Sequence, residues 1–435
     1  MAFTESFKKL FTLPDLRNRI LCTIGILVLI RVFAHIPLPG VDLENLREFF
    51  ARNQIFGLLN MFSGGAMQNF SIIMMGVGPY ITASIVMTLL PHVIPQLDAL
   101  QKEGEAGQRK INQYTRILTV PLAIFQAYAM IRLLSSGGVS GQQIITGDFT
   151  GGNLIIALIT ITAGTMFLMW LGEIISENGI GNGISLIITL GIVAGIPTQF
   201  RNTLAIITGE GGVDTSQLLS LIIFGLIAII TIGIIVLITE GQRNIPVSYA
   251  RRVRGSKMYG GVDTHLPLRV NQGGVIPIIF AMSVMLLPST IAKYLENASS
   301  PWLSHFAQSM SAFFGNNLYY GILYFLLVFA FTYFYTGIVF NPTKVSENLQ
   351  KQGGFIPGVR PGGETQSYLS KILGRINFAG GLFLGVVAVL PFLVQSLTGI
   401  TTLALGGTGI LIVVSVILET QRQIKSQLLM RSYEY

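Results

Sequence analysis

Apolar residues run along this chain in long unbroken blocks separated by short polar connections, the pattern of helices solvated by lipid rather than water. Blocks of roughly twenty residues, enough to cross a bilayer, run near Ile20 to Ile36, Ser71 to Leu90, Ile111 to Leu134, Leu154 to Leu171 and Ile184 to Ile207. A second set follows near Leu218 to Thr239, Val275 to Ile291, Leu318 to Phe340, Ile372 to Val394 and Thr402 to Leu418. They predict an all-α, polytopic membrane protein of about ten transmembrane helices. Five spans per half is an odd number, so the second half enters the membrane with topology opposite to the first. Two inverted five-helix halves, residues 20–210 and 211–424, would then leave a cleft at their pseudo-two-fold axis.

The second block is broken. Residues 57–70, including Met61, Phe62, Ser63, Gly64 and Gly65, are apolar but too short to cross, and Gly76, Gly78 and Pro79 precede the full span. Irregular backbone at membrane depth persists only where protein or a cavity surrounds it, so this half-helix is expected inside the molecule. Two connections are long. Residues 240–271 read as a β-hairpin, with Ile245, Val247 and Tyr249 alternating before Gly255, Gly260 and Gly261 and a second extended stretch from His265 to Val270. Residues 341–371, rich in Pro and Gly around Gly353 to Gly363, read as an ordered protruding loop. The N-terminal residues 1–19 place Phe3, Phe7, Leu10 and Phe11 beside Lys8, Lys9, Arg17 and Arg19. No small-residue cleavage site follows, so they predict an interfacial amphipathic helix leading into a retained span. Residues 425–435 form the tail.

Charge fixes the orientation. Of the 28 Lys and Arg, 22 fall in the N-terminal segment, the even-numbered connections and the tail, which puts both termini and the long loops in the cytoplasm. The connection from Gly172 to Gly183 holds Glu173 and Glu177 and no Lys or Arg, which the rule tolerates because acids contribute little. The net charge of +8 therefore follows from topology and by itself says nothing about nucleic acid. Only 11% of residues are charged and mean hydropathy is +0.63, against roughly a quarter charged in soluble domains.

Candidate chemistry is sparse. One cysteine, Cys22, permits no intrachain disulfide, and His35, His92, His265 and His305 lie far apart without a ligand spacing, so no metal or other cofactor is expected. The span centres are nearly free of charge. Arg31, His35 and Arg132 sit toward helix ends, where snorkelling to the interface accounts for them. A small-solute transporter would need intramembrane charge or a polar midplane site, and an enzyme would need facing nucleophile, base or metal residues. Gly179, Gly181 and Gly183 do not have dinucleotide-loop spacing and are read as shaping a helix start. Gly191 to Gly195 and Gly381 to Gly385 have the spacing of close helix packing.

Ordered motifs carry a resemblance along nearly the whole chain: NMFSGGA at Asn60 to Ala66, GEAGQRKINQYTR at Gly104 to Arg116, GTMFLMWLGE at Gly164 to Glu173 and GIGNGIS at Gly179 to Ser185. GQR at Gly241 to Arg243, THLPL at Thr264 to Leu268, VIPIIFA at Val275 to Ala281, VFNP at Val339 to Pro342, PGVRPG at Pro357 to Gly362 and GGTGILIVV at Gly406 to Val414 follow. The chain resembles the SecY family, channel subunits of the bacterial Sec protein translocase. The resemblance implies a passive, non-enzymatic channel around a central pore in the cytoplasmic membrane, for secretion of unfolded preproteins and lateral insertion of membrane proteins. It assigns residues 57–70 to a plug and Val77, Ile81, Ile188, Ile279 and Ile412 to a pore ring, with Val77 where isoleucine is usual. It places a lateral gate between the second and third spans on one side and the seventh and eighth on the other, with Thr82, Gln126 and Asn182 as polar candidates. Arg243, Arg251, Arg252, Arg254, Lys257 and Arg360 would dock the ribosome and the SecA ATPase. SecE, SecG, signal sequences, nascent transmembrane segments and membrane lipid complete the implied partners.

Overall fold

The computed structural model describes residues 14–52, 60, 63–135, 144, 151–207, 215–249, 252–254, 257–259, 264–295, 300–398 and 407–432. A helix stands at each of the ten expected spans. In the first half these are α1 (Pro14–Phe33), α3 (Gly78–Leu89), α5 (Glu105–Ser135), α6 (Gly151–Asn178) and α7 (Gly183–Ile207), with the short α2 (Leu43–Arg52) and α4 (Pro95–Lys102) between them. In the second half they are α8 (Thr215–Glu240), α9 (Ile276–Leu295), α11 (Asn317–Val339), α13 (Gly363–Thr398) and α14 (Gly407–Ser432), with α10 (Pro301–Gly315) and α12 (Pro342–Lys351) as short additions.

Several boundaries differ from the expectation, each for a local reason. The first helix starts with Pro14 and Asp15 in its first turn and runs unbroken to Phe33, so no break separates residues 14–19 from the first span. Proline and an acid are both favoured in a first turn, where N–H groups are unsatisfied and the dipole is positive. The second span is helical only from Gly78. Of the half-helix expected over residues 57–70, the described residues 63–70 are turns; residues 72–77, expected within the span, are turns as well, with Ser71 bridged to Pro37, and Gly64, Gly65 and Gly76 hold positive φ there. Beyond α3, a 3₁₀ turn at Leu90–His92 leads into α4 through a 99° bend. The ninth span begins nine residues before Ile372, because the loop 341–371 folds into α12, a short strand and the first turns of α13.

On length and hydropathy alone, five described helical stretches could cross a bilayer, and α3 with α4 would be a sixth, bent pair. The apolar stretches of α7 and α9 are shorter, Gly183–Thr198 and Ile276–Met285, with Pro197 and Pro288 inside the helices. The most lipid-like surface is on α8, whose Leu219, Ile222, Ile229 and Leu237 are all exposed. In hydrocarbon such a face needs no partner, because the helix satisfies its own backbone.

The two halves repeat one packing scheme. In the first, α1 packs on α6, α3 on α5, α5 on α6 and α6 on α7; in the second, α8 packs on α13, α9 on α11, α11 on α13 and α13 on α14. These are the same four pairings, first with fourth, second with third, third with fourth and fourth with fifth. The halves meet through α7 against α14 on one side and α3 against α9 on the other, the self-related pairs of a two-fold axis lying between them.

The two long loops fold together. Strand β1 (Gln242–Tyr249) pairs antiparallel with β4 (Thr264–Arg269), in register Ile245 with Leu266, and on its other edge with β5 (Gly354–Phe355) from the second loop. Between them β2 (Arg252–Arg254) and β3 (Lys257–Tyr259) form a separate ribbon. Ile245, Val247 and Leu268 from the first loop and Ile356 from the second bury one face against Leu369, Ile372 and Ile376 of α13. That apolar cluster, rather than Pro–Gly composition, joins the loops to each other and to α13.

Candidate functional site

Val77, Ile188, Ile279 and Ile412 are buried members of one apolar cluster, and Ile81 is half-buried against it. Each comes from a different place in the chain. Val77 is the residue before the first turn of α3 and Ile81 lies one turn on, Ile188 is on α7, Ile279 on α9 and Ile412 on α14. The four helices are those that join the halves, so the axis of the repeat runs where these branched side chains collect. Ile412 and Ile188 are 0% and 1% exposed. Among the described residues no Asp, Glu, Lys, Arg or His is buried. Apolar walls give an ion nothing to replace its hydration shell, and where narrow they close by dewetting.

Residues 63–77 lie between two apolar clusters. Ala66, Ile73 and Val77 belong to the same cluster as the ring residues, whereas Met67, Phe70, Met74 and Met75 pack with Leu46, Phe49 and Phe50 of α2 and the far end of α5. The segment is therefore enclosed by protein. It is braced at its neck, where the Asn60 carboxamide donates to Gln68 Oε1 at 2.9 Å and accepts from the Gln68 N–H at 3.0 Å. Ser71 Oγ donates to the Phe33 carbonyl at 2.7 Å and fixes the far end to α1. Of the residues named for the plug, Ser63, Gly64 and Gly65 are in this loop, while Met61 and Phe62 lie outside the described residues. Gly164 of α6 lies against the segment as well: a Cβ there would stand 2.1 Å from the Ile72 carbonyl oxygen.

At the opposite face, α3 and α5 both pack on α9. The ring of His92, just beyond α3, sits 5.1 Å from that of Phe334 on α11. Thr82 is buried on α3, but its hydroxyl donates within the helix to the Gly78 carbonyl at 3.2 Å. Gln126 is half-buried on α5. Asn182 requires correction. It is exposed and its Oδ1 accepts from the Ser185 N–H at 3.2 Å, capping α7. That helix start packs instead on α6 and α14, where the Gly181 N–H, at φ +87°, donates to Gln423 Oε1. The capping need of a helix N-terminus accounts for Asn182 there.

Arg243 is exposed on β1, and Arg252, Arg254 and Lys257 stand on the β2–β3 ribbon, Arg254 opposite Lys257. Arg360 is exposed between β5 and α13, where its carbonyl accepts from Thr365 Oγ1 at 2.9 Å. Arg251 lies outside the described residues. The acidic fourth connection is not left uncompensated, because Arg116 of α5 donates to Glu173 of α6 at 2.8 Å. On the C-terminal extension of α14, Arg422 donates to the Thr239 carbonyl at 3.1 Å. Burial and the nearby Arg269 hold its guanidinium below the usual range, with Glu240 and Glu419 acting the other way.

Sequence reasoning assigned Arg31 to snorkelling. Its guanidinium instead donates to the Gly64 carbonyl at 2.7 Å. Nothing in the sequence signals this, because the partner is a backbone oxygen.

The SecY family model matches residues 71–421. The Protein translocase subunit SecY of Streptomyces galbus is 42% identical over 443 aligned positions, covering 99% of this chain and 98% of its own. A solved SecY structure, described as one whose plug domain stabilises the closed state of the translocation channel and maintains a membrane seal, superposes with a TM-score of 0.65. It is 19% identical and covers 94% of this chain and 92% of its own. Sec61 in the canine ribosome–channel complex from the endoplasmic reticulum gives 0.62 at 17% identity, with the same coverage of 94% and 92%. At those identities the structures speak for the fold and the curated relative for the lineage. Helix order, inverted packing and near full-length similarity agree, and the chain belongs to the SecY family of protein translocase channel subunits.

Proposed function

We infer that Val77, Ile81, Ile188, Ile279 and Ile412 form the constriction of the protein-conducting channel, and that residues 57–70 are the plug that closes it from the outer side. The observation that carries this reading is the convergence of these five apolar residues, from both halves, in one cluster that also includes Ala66 of the plug. An unfolded chain presents every kind of side chain in turn, so a conduit for it must bind none of them tightly. An apolar waist meets that need and still excludes ions.

The face where α3 and α5 meet α9 is the lateral gate, through which a signal sequence or nascent transmembrane segment reaches lipid. Such a segment is a roughly twenty-residue apolar helix that gains free energy by leaving water. Thr82 and Gln126 are its polar members. The chain works without a cofactor or catalytic site of its own, in the bacterial cytoplasmic membrane with both termini in the cytoplasm, and SecE and SecG accompany it. Energy comes from the SecA ATPase or from the ribosome, which dock on the basic loops carrying Arg243, Arg251, Arg252, Arg254, Lys257 and Arg360. Attraction to ribosomal phosphates is salt-sensitive and blind to sequence. Changing Arg243 and Arg360 together to Glu is expected to weaken ribosome binding by at least about tenfold at low salt, with the difference shrinking as salt rises. Equal affinity at low salt would remove these residues from the docking surface.

The decisive experiment reconstitutes the chain with SecE and SecG in vesicles, supplies SecA, ATP and a preprotein, and arrests the preprotein midway. Photocrosslinkers at positions 81, 188, 279 and 412 are expected to capture it, and one at the lipid-facing Leu237 is not. Transport without any capture at the four positions would overturn the assignment of the waist.

A further inference from the structure

We propose that Arg31 is the latch of the plug and that Gly191, on the wall opposite, is its seat. This rests on reading residues 57–70 as the plug. Arg31 lies in the last turn of α1, half-buried, and its Nη1 donates to the carbonyl of Gly64 at 2.7 Å. Gly64 holds φ at +72°, and the position where it would carry a Cβ is 3.2 Å from the Cα of Gly191 and 3.8 Å from Arg31 Nη1. The plug tip is thus pinned between a cation from the first span and bare backbone of the fifth. Gly191 is buried, and it is the first glycine of a spacing otherwise read as helix-on-helix packing. Here the close approach is to the plug loop instead.

The arrangement suits a closure that must hold yet release. A guanidinium on a carbonyl is a charge-assisted hydrogen bond, stronger than a neutral one, and it holds the tip of a loop whose neck is braced through Asn60 and Gln68 and whose far end is tied separately, Asn69 Nδ2 to the Ala34 carbonyl and Ser71 Oγ to the Phe33 carbonyl. A glycine-on-glycine contact adds close packing with little apolar area to re-expose. Withdrawal of the tip breaks this bond without breaking the Asn60–Gln68 pair at the neck. The side chain at position 64 must be absent on two counts, the left-handed backbone and the closeness of Gly191. Arg132, another arginine toward the end of a span in this half, donates instead within its own helix, to the Tyr128 hydroxyl at 3.1 Å.

The test uses the full chain with its accessory membrane subunits in iodide-loaded phosphatidylethanolamine–phosphatidylglycerol vesicles, without motor or preprotein, and reads halide efflux. Arg31→Leu is expected to raise the resting leak by about tenfold, the change a charge-assisted hydrogen bond carries. Arg31→Lys, which keeps a cationic donor, should restore most of the seal, and Gly64→Ala should leak although Arg31 is intact. Arg132→Leu is the control and should leave the leak at the wild-type level. Deletion of residues 60–68 separates the two layers of the argument. If the deletion leaks and Arg31→Leu does not, the latch is overturned and the plug stands; if neither leaks, both fall. A leak in Arg31→Leu that Lys fails to rescue and Arg132→Leu reproduces would mean general loosening of the fold and would also overturn the latch.

Discussion

At the scale of single residues, the waist depends on chemistry that is invisible one position at a time. Ile412 is wholly buried, and an isoleucine in that state differs in nothing from any other core isoleucine. Its importance lies in what it faces. Ile412→Asn would place a carboxamide at the constriction, where an unsatisfied polar group costs roughly 1–3 kcal/mol and recruits water to satisfy it. Resting ion conductance in planar bilayers is expected to rise severalfold, and a conductance indistinguishable from wild type would take Ile412 out of the seal. Arg31 gives the opposite lesson. As a charge at a span end it was conspicuous in the sequence, and snorkelling was a sufficient explanation until its partner, 33 residues away, was on view.

At the scale of elements, glycines set how closely the helices approach. A Cβ on Gly183 would stand 1.8 Å from the Gly172 carbonyl oxygen, so the turn from α6 to α7 closes only because that side chain is missing. Gly183→Ala should destabilise the detergent-solubilised protein by about 1–3 kcal/mol, the usual cost of overpacking, visible as a fall of several degrees in its thermal transition. An unchanged transition would show that the turn relaxes freely. At α12, Asn341 Oδ1 accepts from the N–H groups of Thr343 and Lys344. Asn341→Ala should lose about 1 kcal/mol in the same assay, and no loss would mean water replaces the cap. Helix spans were legible from apolar block length, yet the second was misjudged over residues 71–77. Those residues are as apolar as a span, and it is the positive φ of Gly76 and the capture of Ser71 by the Phe33 carbonyl that keep them as turns.

At the scale of the molecule, the two long loops, 240–271 and 341–371, act as one body through β1 and β5. Ser248 and Phe355 are cross-strand partners, and the about 4.5–5.5 Å between such Cα atoms suits a disulfide. With Cys22 replaced by Ala, Ser248→Cys with Phe355→Cys should crosslink on oxidation, hold the fragments together after cleavage at a site engineered near residue 297, and leave translocation within about twofold. Failure to crosslink would show that the loops part in solution. Hydropathy and turn chemistry were enough to settle that the chain is a membrane protein and roughly where each helix runs, because those properties answer to the solvent around a local stretch of chain. That Val77, Ile188, Ile279 and Ile412 are buried in one cluster, that Arg31 donates to Gly64 and that Asn182 caps a helix were decided only when the halves packed together. Apolar side chains have the same affinity for lipid as for one another, so only the long-range pairing of helices distinguishes a wall of the pore from a surface of the membrane.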